Sequence, residues 1–357
     1  MLQNKEITSL IINSIFVKML LTFPRIVITN SGNAAWLQMI LNVLAVLLIY
    51  FITILVYKEK KNVIELADEK CGKWLKIPTG IIITLILFTN FLAVIRIFPE
   101  TIRIVLLKET PANLIVLLLA AAVFIGAYMG IESIARIHYI FLPIAGGVLV
   151  LFLFLLIPYY STDNIFPIFG SGTVNVFLKG FRSLSLFSDI ILLNILLPFA
   201  KTLEEVKKSG FKSIVISGII AIMIILAYCL VYPYPVSENF VFPVYQLARM
   251  VHLSSFLSRF EAFFQFVWSI LTMLYASFYV YAICFVWQQT FSLKFYKPII
   301  FPIIILSFSI SMIPDSMINA NYIEKIINGI IFSLAFVIPV LFGLISKRKK
   351  DKGNGSK

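Results

Sequence analysis

The sequence predicts an all-α integral membrane protein of ten transmembrane helices, arranged as two inverted repeats of five. Three observations carry that expectation. Of the 357 residues, 60% are hydrophobic and 13% charged, with a mean hydropathy of +0.98; soluble domains are about half apolar and about a quarter charged. Apolar runs of membrane-spanning length recur from end to end, and no polar stretch is long enough for a separate folded domain. The runs divide five and five, and because five is odd, the second half must enter the membrane from the opposite side.

The runs place helices at about 6–29, 35–57, 77–98, 111–131, 138–158, 177–200, 212–232, 259–289, 296–313 and 324–346. Residues 1–160 form the first repeat, 161–346 the second, and 347–357 a basic cytoplasmic tail. The first run, Ile7 to Ile28, is too long for a signal-peptide core and lacks a small-residue cleavage pattern. It carries Lys18 at its midpoint, then Thr22 and Pro24; a proline there frees a backbone carbonyl and predicts a broken helix. After the second span, Lys58 to Lys76 reads as a short interfacial helix, with Val63, Ile64, Leu66 and Ala67 on its apolar side and Trp74 at headgroup level. Arg96, Glu100 and Arg103 form a snorkelling rim at the outer end of the third span. Glu132 and Arg136, four apart, predict an ion pair at an inner helix end.

Ser161 to Lys179 is the outer connection between the repeats. The sixth run, Phe177 to Phe199, carries Ser183, Ser185, Ser188, a central Asp189, Asn194 and Pro198, which predicts a second broken helix. Lys201 to Lys212 reads as a solvated inner loop. Within the longest outer connection, Pro233 to Ser258, the stretch Phe242 to Val251 reads as a short surface helix, a lid or a passive interfacial segment. Arg259 and Glu261 open the eighth span and, two apart, point to different faces as anchors at its outer end.

The charge distribution sets orientation and excludes function classes. The net charge is +13, but most Lys and Arg fall in alternate connections and in the tail Lys347 to Lys357. That bias places both termini inside and makes the tail a contact for anionic lipid, with no nucleic-acid partner. Cys71, Cys229 and Cys284 are odd in number and far apart, so they read as small core residues without a disulfide framework or metal motif. His138 and His252, the only histidines, fall at expected membrane edges. HExxH, GxSxG, P-loop and CxxC motifs are absent, and so few carboxylates lie in apolar runs that acid–base catalysis has little to work with. The sequence therefore predicts a protein that is not an enzyme and needs no cofactor or metal.

Two central charges remain. A charge at mid-bilayer costs about 2.5–3.5 kcal/mol on insertion scales and marks a functional candidate, with a structural ion pair as the alternative. Lys18 and Asp189 occupy the first helix of each repeat, and pairing would relieve both.

Five segments carry a family resemblance: Leu20 to Arg25 (LLTFPR), Cys71 to Leu75 (CGKWL), Glu109 to Pro111 (ETP), Gly130 to Arg136 (GIESIAR) and Arg259 to Trp268 (RFEAFFQFVW). Together and in order, they resemble the B subunit of spore germinant receptors, of the amino acid–polyamine–organocation superfamily. The chain departs from the family pattern at Val17, Lys18 and Met19, where glycines are common, and at Phe187, Ser188 and Asp189, where a Gly-x-Glu is common. The resemblance implies a ten-helix LeuT-type fold and a nutrient-sensing subunit in the spore inner membrane. Its implied partners are an A subunit with soluble and membrane domains and a lipoprotein C subunit, and its implied ligand is a small germinant such as an amino acid.

In such a bundle the first and sixth helices are neighbours, and backbone freed at their breaks holds the ligand. The candidate ligand residues are then Lys18, Met19, Leu21 and Thr22 on span one and Asn90, Phe91 and Val94 on span three. Span six adds Ser185, Leu186 and Asp189, and span eight Trp268, Thr272 and Tyr275. Lys18 would stand in for a bound cation and remove any sodium requirement. A proton-coupled amino-acid transporter is the alternative function, since one fold serves both.

Overall fold

In lipid every backbone N–H and C=O must be satisfied within its own segment, so an apolar run of this length has helix as its outlet. The computed structural model describes residues 1–21, 23–170, 172, 174, 176–177, 180–251, 260–313 and 332–345. Among these, regular structure is helical apart from one isolated parallel bridge between Leu2 and Ala200. The first half comprises α1 (Asn4–Leu20), α2 (Phe23–Ser31), α3 (Ala35–Val56), α4 (Val63–Cys71), α5 (Lys73–Val105), α6 (Ala112–Met129) and α7 (Ile131–Leu155). The second comprises a 3₁₀ segment (Gly180–Ile191), α8 (Leu192–Leu196), α9 (Leu203–Val231), α10 (Pro243–Met250), α11 (Phe260–Thr290) and α12 (Lys297–Ser311), then α13 (Phe332–Ile345). Among the described residues, five stretches are long and apolar enough to cross a membrane: Phe23–Val56, Lys73–Val105, Ile131–Tyr159, Leu203–Val231 and Phe260–Thr290.

Burial sorts these helices into centre and periphery. α1 is buried along nearly its whole length and packs on α7, α9, α11 and the 3₁₀ segment. α11 packs on α5, α6 and α7. By contrast α3 exposes Leu44, Leu48, Phe51 and Leu55, and α6 exposes Leu114, Leu117, Leu118 and Ile125, the surface a lipid-facing helix presents.

Both expected interruptions are present, in different forms. α1 stops at Leu20; Leu21 leaves helical geometry at ψ −114°, and α2 restarts at Phe23 with Pro24 in its first turn, where the missing N–H costs nothing. The sixth segment is instead wound tightly as 3₁₀ helix over Gly180–Ile191, passing through the short α8 into a second 3₁₀ turn at Leu197–Phe199. A 3₁₀ run of this length is uncommon, and mid-helix 3₁₀ marks hinges and functional segments.

The connections gather at two ends. At the end expected to be inner, the Met1 ammonium meets Glu132 at 2.8 Å and Lys60 Nζ donates to the Lys201 carbonyl at 2.7 Å. Nearby, Asn62 Nδ2 donates to Gln289 Oε1 at 2.7 Å, and Lys76 Nζ to Asp68 Oδ2 and Ser292 Oγ at 2.8 and 3.0 Å. At the opposite end Arg25 Nε donates to the Glu238 carbonyl at 3.1 Å and Asn164 Nδ2 to the Leu230 carbonyl at 2.9 Å. α4 is the amphipathic helix expected between spans two and three. Asn62 and Glu65 form a reciprocal capping box, Val63, Ile64, Leu66 and Ala67 are buried, and Trp74 is 92% exposed. Beside it Lys61 bonds Glu69 at 2.7 Å; that bond holds the carboxyl below its usual range and raises the ammonium. α10 is the short helix expected in the long outer connection.

Four expectations are corrected. Lys201 to Lys212 is mostly helix: α9 begins at Leu203, because Thr202 Oγ1 accepts from the Glu205 amide at 3.2 Å and Glu204 and Glu205 favour the positive helix start. Arg96, Glu100 and Arg103 lie inside α5, paired at 3.0 and 3.1 Å, because the helix runs on to Val105. Cys71, expected in the core, is exposed, whereas the expected Glu132–Arg136 pair is present at 4.0 Å beside the closer N-terminal ammonium. His138 is not at a membrane edge: α7 starts at Ile131, which carries His138 inside the bundle, fully buried, with Nδ1 2.8 Å from the Ile134 carbonyl. Thr22, His252, Arg259 and the tail 347–357 lie outside the described residues.

Candidate functional site

The site forms where α1 gives way to α2. Lys18 lies in the last turn of α1, where unsatisfied carbonyls favour a cation. Its Nζ is 2.8 Å from Asp189 Oδ2, the carboxylate being fully buried and the lysine side chain 13% exposed. The expected Lys18–Asp189 pair is therefore formed. Further bonds tie it to two other segments, α5 and α11. Lys18 Nζ also donates to Ser188 Oγ at 3.3 Å, and Ser188 Oγ donates to Asn90 Oδ1 at 3.3 Å. Tyr279 donates its hydroxyl to Asp189 Oδ1, and Tyr275 donates to the Asn90 carbonyl at 3.2 Å. A buried charge pair is tolerable when its remaining atoms are bonded in this way.

Next to this network lies a small cavity lined by Lys18, Leu21, Phe23, Ile26, Asn90, Ala93, Val94, Ile97, Ser185 and Leu186. Asn90, Ala93, Val94 and Ile97 are spaced three and four apart and share one face of α5. They step away from the end at which Lys73 starts the helix, and Phe23 and Ile26 step the same way along α2. The cavity thus extends from Lys18 toward the outer end. On its other side Asp189 is buried, and Tyr275 and Tyr279 stack at 4.3 Å with Phe91 against Tyr279 at 6.4 Å.

Of the residues singled out in the sequence, Lys18, Leu21, Asn90, Val94, Ser185 and Leu186 line the cavity, and Asp189 holds Lys18 from behind. Met19 and Phe91 are buried in the core. Trp268 sets its ring edge-on to Phe98 at 5.7 Å, Thr272 donates to the Trp268 carbonyl at 3.0 Å, and Tyr275 reaches the cavity only through Asn90. Sequence reasoning missed Phe23, Ile26, Ala93 and Ile97. Helical spacing from Asn90 points to Ala93 and Ile97, whereas Phe23 and Ile26 depend on the angle at which α2 leaves the break.

A helical membrane bundle with a broken first helix against a sixth segment wound as 3₁₀ helix, closing on a central cavity, is a LeuT-type fold. The structure is similar to that of Mhp1, a nucleobase-cation-symport-1 family transporter solved in a closed conformation with bromovinylhydantoin bound. The TM-score is 0.60 at 15% identity, over 93% of this chain and 78% of that one, a likeness that shows the fold. A family described as spore germination protein matches residues 1–320, and the chain belongs to it. Three relatives from Bacillus subtilis (strain 168) agree. Spore germination protein B2 is 24% identical over 70% of this chain and 68% of its own length. Spore germination protein A2 is 25% identical over 96% and 94%, and the putative spore germination protein YfkT 26% over 91% and 90%. The family and the structural neighbour are receptor or transporter types.

Proposed function

We propose that this chain is the nutrient-sensing membrane subunit of a spore germinant receptor in the spore inner membrane, and that it binds a small germinant such as an amino acid in the cavity beside Lys18. The observation that carries this is the cavity itself, set at the break of the first helix and floored by an ion pair whose carboxylate is fully buried. Apolar walls with a few convergent polar groups are what a small-molecule site presents. Residues 1–160 and 161–346 are the two repeats, and ligand occupancy shifts how they pack at the Lys18–Asp189 contact. An A subunit and a lipoprotein C subunit carry that shift onward, and the tail 347–357 touches anionic lipid. Lys18 supplies the positive charge that a bound cation would otherwise give, so the response needs no sodium.

A strain lacking the gene tests this reading against a panel of nutrients. The expected result is selective loss of germination toward one nutrient class, restored by the intact gene and indifferent to replacing sodium with potassium. Unchanged responses to every nutrient would contradict it. The transporter alternative draws on the likeness to Mhp1; nutrient accumulation in vesicles carrying this chain alone would favour it.

A further inference from the structure

Two side chains that line the cavity, Lys18 and Asn90, keep N–H groups beyond the hydrogen bonds they make. Lys18 Nζ has three N–H bonds; one meets Asp189 Oδ2 and one Ser188 Oγ, which leaves one for the cavity that Lys18 lines. Asn90 Nδ2 gives one hydrogen to the Ile86 carbonyl at 3.2 Å, while its Oδ1 accepts from Ser188, which leaves its second N–H. Both oxygens of Asp189 are occupied, by Lys18 and Tyr279, and the carboxylate is buried away from the cavity. Among the described residues no carboxylate lines the cavity. Apart from Ser185, the rest of the wall is apolar.

Two aimed donors, one of them cationic, in an apolar chamber define a partner with an anionic acceptor group and an apolar body. We infer that the ligand is an apolar monocarboxylate held through its carboxylate by Lys18 and Asn90. An amino group, where the ligand has one, meets no carboxylate among the described lining residues and is the lesser determinant. This rests on the reading above that the cavity is the ligand site. Lys18 then has two roles at once, closing the contact with Asp189 and presenting its last N–H to the ligand. A hydrogen bond to a charged group outweighs a neutral one, so losing the carboxylate should cost about tenfold or more in affinity.

The test uses the full-length chain in detergent with Cys71, the exposed free thiol, changed to Ser and a reporter thiol placed on the wall by Ala93→Cys. Two series are offered: L-valine, 3-methylbutanoate and 2-methylpropylamine; and L-alanine, propanoate and ethylamine. The expected result is that a carboxylate, with or without its amino group, slows thiol modification at about tenfold or more lower concentration than its matched amine. Asn90→Asp should reverse that order, because it turns the donor into an acceptor. Protection by the amines equal to or better than by the carboxylates would overturn this inference while leaving the cavity a ligand site. Ready modification that no compound of either series slows would overturn the ligand-site reading and this inference with it.

Discussion

Lys18→Met and Asp189→Asn should each sharply lower the amount of folded protein, and the double variant should recover most of it. Each single change strands one charge, on a fully buried Asp189 or a largely buried Lys18, at a cost of about 3–5 kcal/mol. Asp189 is fully buried and its second oxygen already accepts from Tyr279, so a carboxylate without Lys18 has no compensating cation. Methionine keeps the apolar stem of the lysine, and asparagine keeps an acceptor for Tyr279, so the double variant is neutral and close in shape. The measurement is a double-mutant cycle on apparent thermal stability in detergent. Strict additivity would mean that the two side chains do not interact energetically. The readouts should also separate: the double variant regains stability but stays unresponsive to nutrient, because the donor for the ligand's carboxylate is gone.

Gly210→Ala should be a strongly damaging small change outside the site. α3 and α9 pack closely through small residues, and a Cβ at Gly210 would lie 2.0 Å from Tyr50 Oη and 2.5 Å from Leu193 Cδ1. Tyr50 has no room to retreat: it is buried and donates to the Lys207 carbonyl at 3.1 Å. Gly218 makes the same approach, with Val43 Cγ1 2.7 Å from the added carbon. Membrane helices associate through such small-residue contacts because apolar side chains gain little by leaving lipid. Overpacking of this kind costs about 1–3 kcal/mol, read as a lower apparent Tm and lower abundance. Gly146→Ala, where nothing lies within 4 Å, is the matched control and should change neither. Equal behaviour of the two variants would show that α9 moves away from α3 at no cost.

Much of this architecture is legible in the sequence because the bilayer enforces it. Central charges are rare enough in apolar runs that Lys18 and Asp189 point to each other across the chain. The break after Leu20 is legible in Pro24, and α4 in the alternation of Val63, Ile64, Leu66 and Ala67 with charges. Other features were hidden by competition between signals. The polar composition of Lys201 to Lys212 suggests a loop, although Thr202 followed by Glu205 is a helix-start signal that wins once α9 has a partner in α3. His138 looks peripheral only if Glu132 and Arg136 are taken to end the helix; both lie within α7, and the N-terminus supplies the closer partner for Glu132. At the site, Lys18 and Asn90 are legible as polar groups in apolar runs. Trp268, Thr272 and Tyr275 have the same composition but pack behind the wall, because which face of α11 looks inward is a tertiary matter. The 3₁₀ winding of Gly180–Ile191 has no clear composition signal; it adjusts that segment to α1 and α3.

The nutrient dose response of spores carrying Ala93→Trp tests most directly whether the cavity is where the signal begins. Ala93 sits on the wall, half-buried, at the middle of the α5 face that lines the cavity. An indole there would occupy much of the space next to Lys18 without touching the buried pair. The expected result is normal protein abundance with loss of germination toward the nutrient class that this chain serves, and unaltered germination toward others. An unchanged dose response at normal abundance would contradict the assignment and move the ligand elsewhere in the receptor.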